Sequence, residues 1–201
     1  MDTVFGVKYD GGVIIAADQG NARSILVYQQ NLDKITKLTN HSLMGCSGPN
    51  ADVVNFTEYI SKNLALYELT NDGTQLSTKA QANFARGELA RALRKGPYQV
   101  NLLLGGYDVK KMSPSLYFMD YFASMAEVNY GVQGYAASFC LSIFDREWKE
   151  GLNEAQAMEI LDHCIDELKT RFLISQNNFI TKVVDKDGTR VVKFGADPDD
   201  N

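Results

Sequence analysis

A chain of 201 residues, 45% apolar and 22% charged, has the material for one domain with a sizeable core. Its formal charge of −5 leaves a nucleic-acid role without a basic footprint. No apolar run approaches the ~18 residues a membrane-spanning helix needs, and Met1-Asp2-Thr3 opens no secretory signal.

The chain begins with Thr3-Val4-Phe5-Gly6-Val7-Lys8-Tyr9, bends at Asp10-Gly11-Gly12, and continues as Val13-Ile14-Ile15-Ala16-Ala17 with Asp18 at its exit. Asp-Gly at the bend predicts a hairpin, because glycine accepts the positive φ of a tight turn. Val13–Ala17 has no polar residue on either face, which predicts a strand covered on both sides. A polar connection over residues 19–24 leads to a mixed stretch from Ile25 to Gln30. Residues 34–39 alternate apolar with polar side chains, as a half-exposed strand does. Residues 41–48 read as another strand, ending in small residues before Pro49.

Two helices are predicted next. Val53, Phe56, Ile60, Leu64 and Tyr67 recur at three- and four-residue spacing, giving one apolar stripe. Asn71-Asp72-Gly73 breaks it. Ser77 is placed to cap the second helix, whose buried face carries Ala82, Ala85, Leu89, Ala92 and Leu93. Residues 98–108 form a strand with an apolar centre and Gly105-Gly106 at its end. Ser113-Pro114-Ser115 reads as a turn into a partner strand over residues 116–121. Gly131 and Gly134 lead into a third helix that runs through Phe139, Ile143 and Phe144 to Trp148. Gly151 separates it from a fourth, where Asn153 and Gln156 have capping-box spacing. Ala157, Ile160, Leu161, Cys164 and Leu168 make its stripe. A last hairpin joins Phe179–Val184 to Thr189–Phe194, and the acidic tail from Gly195 to Asn201 is expected to be mobile.

Cys46, Cys140 and Cys164 are odd in number and far apart, so they read as buried reduced thiols. His41 and His163 complete no metal spacing with them. No metal or cofactor is expected. The element order is strands, two helices, strands, two helices, strands. A doubly wound parallel sheet alternates one strand with one helix and does not suit it. The order predicts an α+β fold over residues 1–201: a four-layer α/β/β/α sandwich of two antiparallel sheets, each flanked by a helix pair.

That layout, with the run Gly12-Val13-Ile14-Ile15-Ala16-Ala17-Asp18, resembles the proteasome β-subunit family of N-terminal-nucleophile hydrolases. Residues 101–108 (Asn-Leu-Leu-Leu-Gly-Gly-Tyr-Asp), 116–121 (Leu-Tyr-Phe-Met-Asp-Tyr) and 141–146 (Leu-Ser-Ile-Phe-Asp-Arg) look like one non-catalytic branch of it. Active members attack with a mature N-terminal threonine whose own α-amino group is the base, so an internal threonine does not substitute. The resemblance matches the family's aspartate to Asp18 and its lysine to Lys34. Sixteen residues before the aspartate, where the threonine belongs, stands Asp2. Thr3 is one residue out of register, and a one-residue slip turns a strand side chain to the opposite face. A Gly-Ser-Gly-like segment of the family appears as Val132-Gln133-Gly134-Tyr135. A later aspartate aligns with Phe172, and its following serine with Ser175.

The resemblance implies a non-catalytic subunit in which Asp18 and Lys34 are a vestigial framework and Met1 is retained and acetylated. It implies β3- and β5-type ring neighbours, α-ring subunits, the opposite β ring and a 28-subunit assembly, with regulatory particles met indirectly. The expected setting is ubiquitin-dependent protein degradation in cytoplasm and nucleus.

Overall fold

The hairpin expected at the start of the chain is β1 (Thr3–Tyr9) and β2 (Gly12–Asp18), joined through Asp10-Gly11. The computed structural model describes residues 2–23, 26–173, 176 and 178–194. Met1, Ser175 and the acidic tail, for which expectations were stated above, lie outside the described residues. β2 is buried along its whole length. Its side chains divide by parity, as a pleated strand requires. Val13, Ile15 and Ala17 join Leu43, Leu103 and Leu116 in one cluster. Ile14 and Ala16 join Phe144, Leu161 and Cys164 in another.

The first sheet has the order β10 (Tyr130–Gly134), β1, β2, β11 (Phe179–Asp185), β12 (Gly188–Phe194), antiparallel throughout. The second has the order β5 (Ile35–Thr39), β6 (Ser42–Ser47), β7 (Asn101–Asp108), β8 (Ser113–Met119), β9 (Met125–Val128), also antiparallel. Helices α1 (Asn50–Thr70) and α2 (Thr78–Ala92) cover the second sheet, where Phe56, Ile60 and Leu89 pack with Met44, Leu102 and Leu104. Helices α3 (Ala137–Glu147) and α4 (Glu154–Arg171) cover the first. The result is the four-layer α/β/β/α sandwich, each sheet apolar on both faces because each has a neighbour on both.

α4 starts where its cap dictates. Asn153 accepts from the Gln156 N–H at 2.9 Å, and the Gln156 side chain accepts from the Asn153 N–H at 3.1 Å. Asn153→Ala is expected to cost about 1 kcal/mol. Thermal melting followed by circular dichroism should fall by about 2–4 °C for a chain of this size.

Several elements differ from expectation. Residues 113–115 are not a turn but the start of β8, with Ser113, Pro114 and Ser115 paired to Asp108, Tyr107 and Gly106. The reversal lies before them, at residues 109–112, where Met112 takes a φ of 53°. Gly105-Gly106 therefore lies inside β7 and not at its end. Tyr67 leaves the α1 stripe for solvent, while Phe56, Ile60 and Leu64 stay buried. A short ribbon, β3 (Asn21–Arg23) with β4 (Leu26–Gln29), was not expected, and Leu26, Val27 and Tyr28 on it are exposed. β9 was missed, and Gly131 and Gly134 belong to the strand β10, not to a helix lead-in.

All three cysteines are free and buried, as expected. Among the described residues, no helix is long and apolar enough to cross a membrane.

Candidate functional site

Three elements bring Asp2, Asp18 and Lys34 together at one end of the sandwich. Asp18 is the last residue of β2, and Asp2 directly precedes β1 beside it. Lys34 precedes β5, and its carbonyl is held by the Cys46 N–H of β6 at 3.1 Å, which fixes where the lysine stem departs. The Lys34 ammonium then meets three acceptor groups. Asp2 Oδ1 lies at 2.7 Å, the Asp18 carboxylate at 2.9 and 3.0 Å, and the Gly20 carbonyl at 2.7 Å. Three ammonium protons thus have three partners, which is what a side chain this buried requires.

Asp18 is equally engaged. It accepts from the Thr3 N–H at 2.7 Å and from the Gly20 N–H at 3.2 Å, besides Lys34. Burial nonetheless holds its carboxyl above the ordinary carboxylate range, against the opposing pull of Lys34 and the Thr3 N–H. The second Asp2 oxygen, Oδ2, accepts from the Gly48 N–H at 3.1 Å. Gly48 has a φ of +146°, and a Cβ there would meet the Gln99 carbonyl at 2.2 Å. Only glycine can present its N–H from that backbone position.

The position to which the resemblance assigns the nucleophile holds a carboxylate clamped between an ammonium and a backbone N–H. Such donors are of the kind hydrolases use to hold a developing oxyanion. Here they are already saturated by negative charge. Thr3 lies one residue on and is fully buried. Its nitrogen is an amide donating to Asp18, and its hydroxyl donates to Gln176 Oε1 at 2.9 Å, away from Lys34.

A cleft of about 780 Å³ opens beside the cluster, lined by Asp2, Lys34, Gly48, Cys46, Val53 and Tyr28 among others. Burial pushes the Cys46 thiol well up. Neither histidine serves it: His41 lies on the Lys186 carbonyl, and His163 pairs with Glu147 at 2.7 Å. Among the described residues, no three of His, Cys, Asp and Glu converge as a metal site. Phe172 ends α4 and packs on Tyr135 and Phe139. Gln133 is buried and donates to the Leu102 and Met119 carbonyls, tying β10 to the second sheet.

Sequence reading named Asp2, Asp18 and Lys34 but missed Gly48, Gly20 and Gln176. The two glycines act through backbone atoms, which leave no side-chain signal. The small-residue ending Cys46-Ser47-Gly48 before Pro49 was the one trace of the first.

Residues 1–184 match the family model described as "Proteasome subunit". "Proteasome subunit beta type-2-B" of Arabidopsis thaliana is 47% identical over 190 residues, covering 94% of each chain. "Proteasome subunit beta type-2" of Dictyostelium discoideum is 42% identical over 98% of this chain and 99% of its own. "Proteasome subunit beta type-4" of Saccharomyces cerevisiae is 38% identical over 96% and 97%. Similarity that runs end to end, over a sandwich whose strand ends assemble the Asp18–Lys34 cluster, leaves one assignment: the chain belongs to the proteasome β-subunit family.

Proposed function

We propose that this chain is a non-catalytic β subunit of the proteasome core particle, shaping the ring and chamber in which other subunits cleave protein. The observation that carries this is the Asp2 carboxylate, bonded to Lys34 at 2.7 Å and to the Gly48 N–H at 3.1 Å where a hydroxyl and a free amine would have to work. A carboxylate there offers neither an alkoxide nor a general base with an amine's proton affinity, and it repels incoming negative charge. Asp18 and Lys34 then serve as a structural pair. In the same reading the ring neighbours are β3- and β5-type subunits, with α-ring subunits and the opposite β ring as further contacts. The particle is the 28-subunit one, working in ubiquitin-dependent degradation in cytoplasm and nucleus, and the family resemblance supports that reading.

Core particles purified with this chain in place, treated with an electrophilic peptide and resolved by mass spectrometry, test it. The expected result is labelling of other subunits and an unlabelled chain that still carries Asp2. A mature chain starting at Thr3, labelled there and unlabelled as Thr3→Ala, would overturn the proposal.

A further inference from the structure

The carboxylate of Asp2 is held the way a bound anion is held. Its two oxygens go to two different donors, Oδ1 to the Lys34 ammonium and Oδ2 to the Gly48 N–H. Both donors are fixed independently of Asp2. Lys34 is also tied to Asp18 and to the Gly20 carbonyl, and the Gly48 backbone conformation is one only glycine adopts. We infer that Lys34 Nζ and the Gly48 N–H form an anion cradle which Asp2 fills from within the chain, and which takes a small carboxylate from solution once that side chain is removed.

Charge, donor balance and access all support this. Without Asp2, Asp18 still neutralises Lys34, so the empty cradle is not a bare cation that would draw any anion strongly. It is one free ammonium proton and one free N–H, both partly out of water and spaced for the two oxygens of a single carboxylate. Unmatched donors in that setting are costly, and a ligand that satisfies both recovers the loss. The site is reachable, since Asp2, Lys34 and Gly48 all line the 780 Å³ cleft and the Asp2 side chain is 24% exposed. The inference builds on the functional reading above, because it requires Asp2 to remain in the mature chain.

The shape of the space makes the test selective. Asp2→Ala removes the carboxylate and opens the cradle to the cleft. A free anion must stand off from the retained Cβ by a van der Waals distance, and formate, with only hydrogen on its carbon, is displaced toward the cleft less than acetate. Melting of the full-length Asp2→Ala chain is compared in sodium formate, sodium acetate and sodium chloride at equal ionic strength. Formate is expected to raise the melting temperature by about 2–4 °C over chloride, and acetate to raise it less. The unsubstituted chain and the Asp2→Ala/Lys34→Met double variant should respond to formate no more than to chloride. An Asp2→Ala chain indifferent to formate, or a double variant that responds equally, would overturn the cradle. If Asp2→Ala folds only with an added anion, recovery in formate but not in chloride supports it, and failure in both overturns it. Sequencing the N-terminus of the unsubstituted chain separates the two readings. Formate indifference of Asp2→Ala, with Asp2 retained in the unsubstituted chain, defeats the cradle alone, whereas an unsubstituted chain beginning at Thr3 defeats the functional proposal.

Discussion

Lys34→Met is expected to destabilise the chain by about 3–5 kcal/mol, the cost of breaking a buried ion pair from one side. The lysine side chain is 5% exposed and that of Asp18 is 2% exposed. Removing the cation leaves two carboxylates, Asp2 and Asp18, facing each other with backbone N–H groups as their remaining support. Denaturant titration at neutral pH should show the loss directly. Its pH dependence has a definite sign. The Asp18 carboxyl is already raised above its ordinary value of 3.8 by burial, with Lys34 opposing. A folded-state pKa above the unfolded one gives stability that is present below 3.8 and lost as pH rises through the folded value. Taking Lys34 away moves that folded value further up. The gap between the variant and the unsubstituted chain should therefore widen as pH rises through the folded value of the unsubstituted chain toward the higher one of the variant, and narrow again below it. A gap independent of pH would mean that the methionine acts through packing alone. Adding Asp2→Asn to Lys34→Met should recover part of the loss, because it removes one of the two stranded charges.

Gly134→Ala is the second large effect. Gly134 ends β10 opposite Thr3, with a φ of +81°, and a Cβ there would stand 1.9 Å from the Asp2 carbonyl oxygen. The left-handed conformation costs a non-glycine residue about 1–2 kcal/mol. Forcing extra volume into packed backbone adds about 1–3 kcal/mol, so the expected total is about 2–5 kcal/mol. Because the obstructed atom belongs to Asp2 itself, the damage should be local as well as global. A structure of the variant is expected to show Asp2 displaced and its carboxylate out of reach of both Lys34 and Gly48. An Asp2–Lys34 bond still at 2.7 Å in a chain of unchanged stability would refute this account.

The sandwich was legible in the sequence wherever burial left a periodic mark. β2 announced itself by five apolar residues with no polar face, and α4 by its stripe and its Asn153 cap. What escaped notice had a different physical basis. β10 holds two glycines and a glutamine, so it shows neither alternation nor apolar run. Gln133 is tolerated inside only because the Leu102 and Met119 carbonyls accept its protons. β9 is a four-residue edge strand, half exposed, with too little pattern to register. The β3–β4 ribbon exposes its apolar side chains, which reverses the signal a strand normally gives. In the candidate site the charged side chains were readable from one resemblance. Their geometry was not, since the Gly48 N–H and Gly20 carbonyl are contributed by backbone whose path only the fold sets.

β2 lies in the middle of its sheet, with β1 on one side and β11 on the other, and β1 is paired in turn with β10. Among the described strands, the hairpin made first is thus among the last to be enclosed. Its partners are translated some 120 and 170 residues later, and until then an apolar ribbon with two naked edges must be kept from other chains. Pairings this distant close late and slowly. Closure of this sheet is therefore expected to wait on strands of the carboxyl half, while the segment left unpaired meanwhile lies toward the amino end.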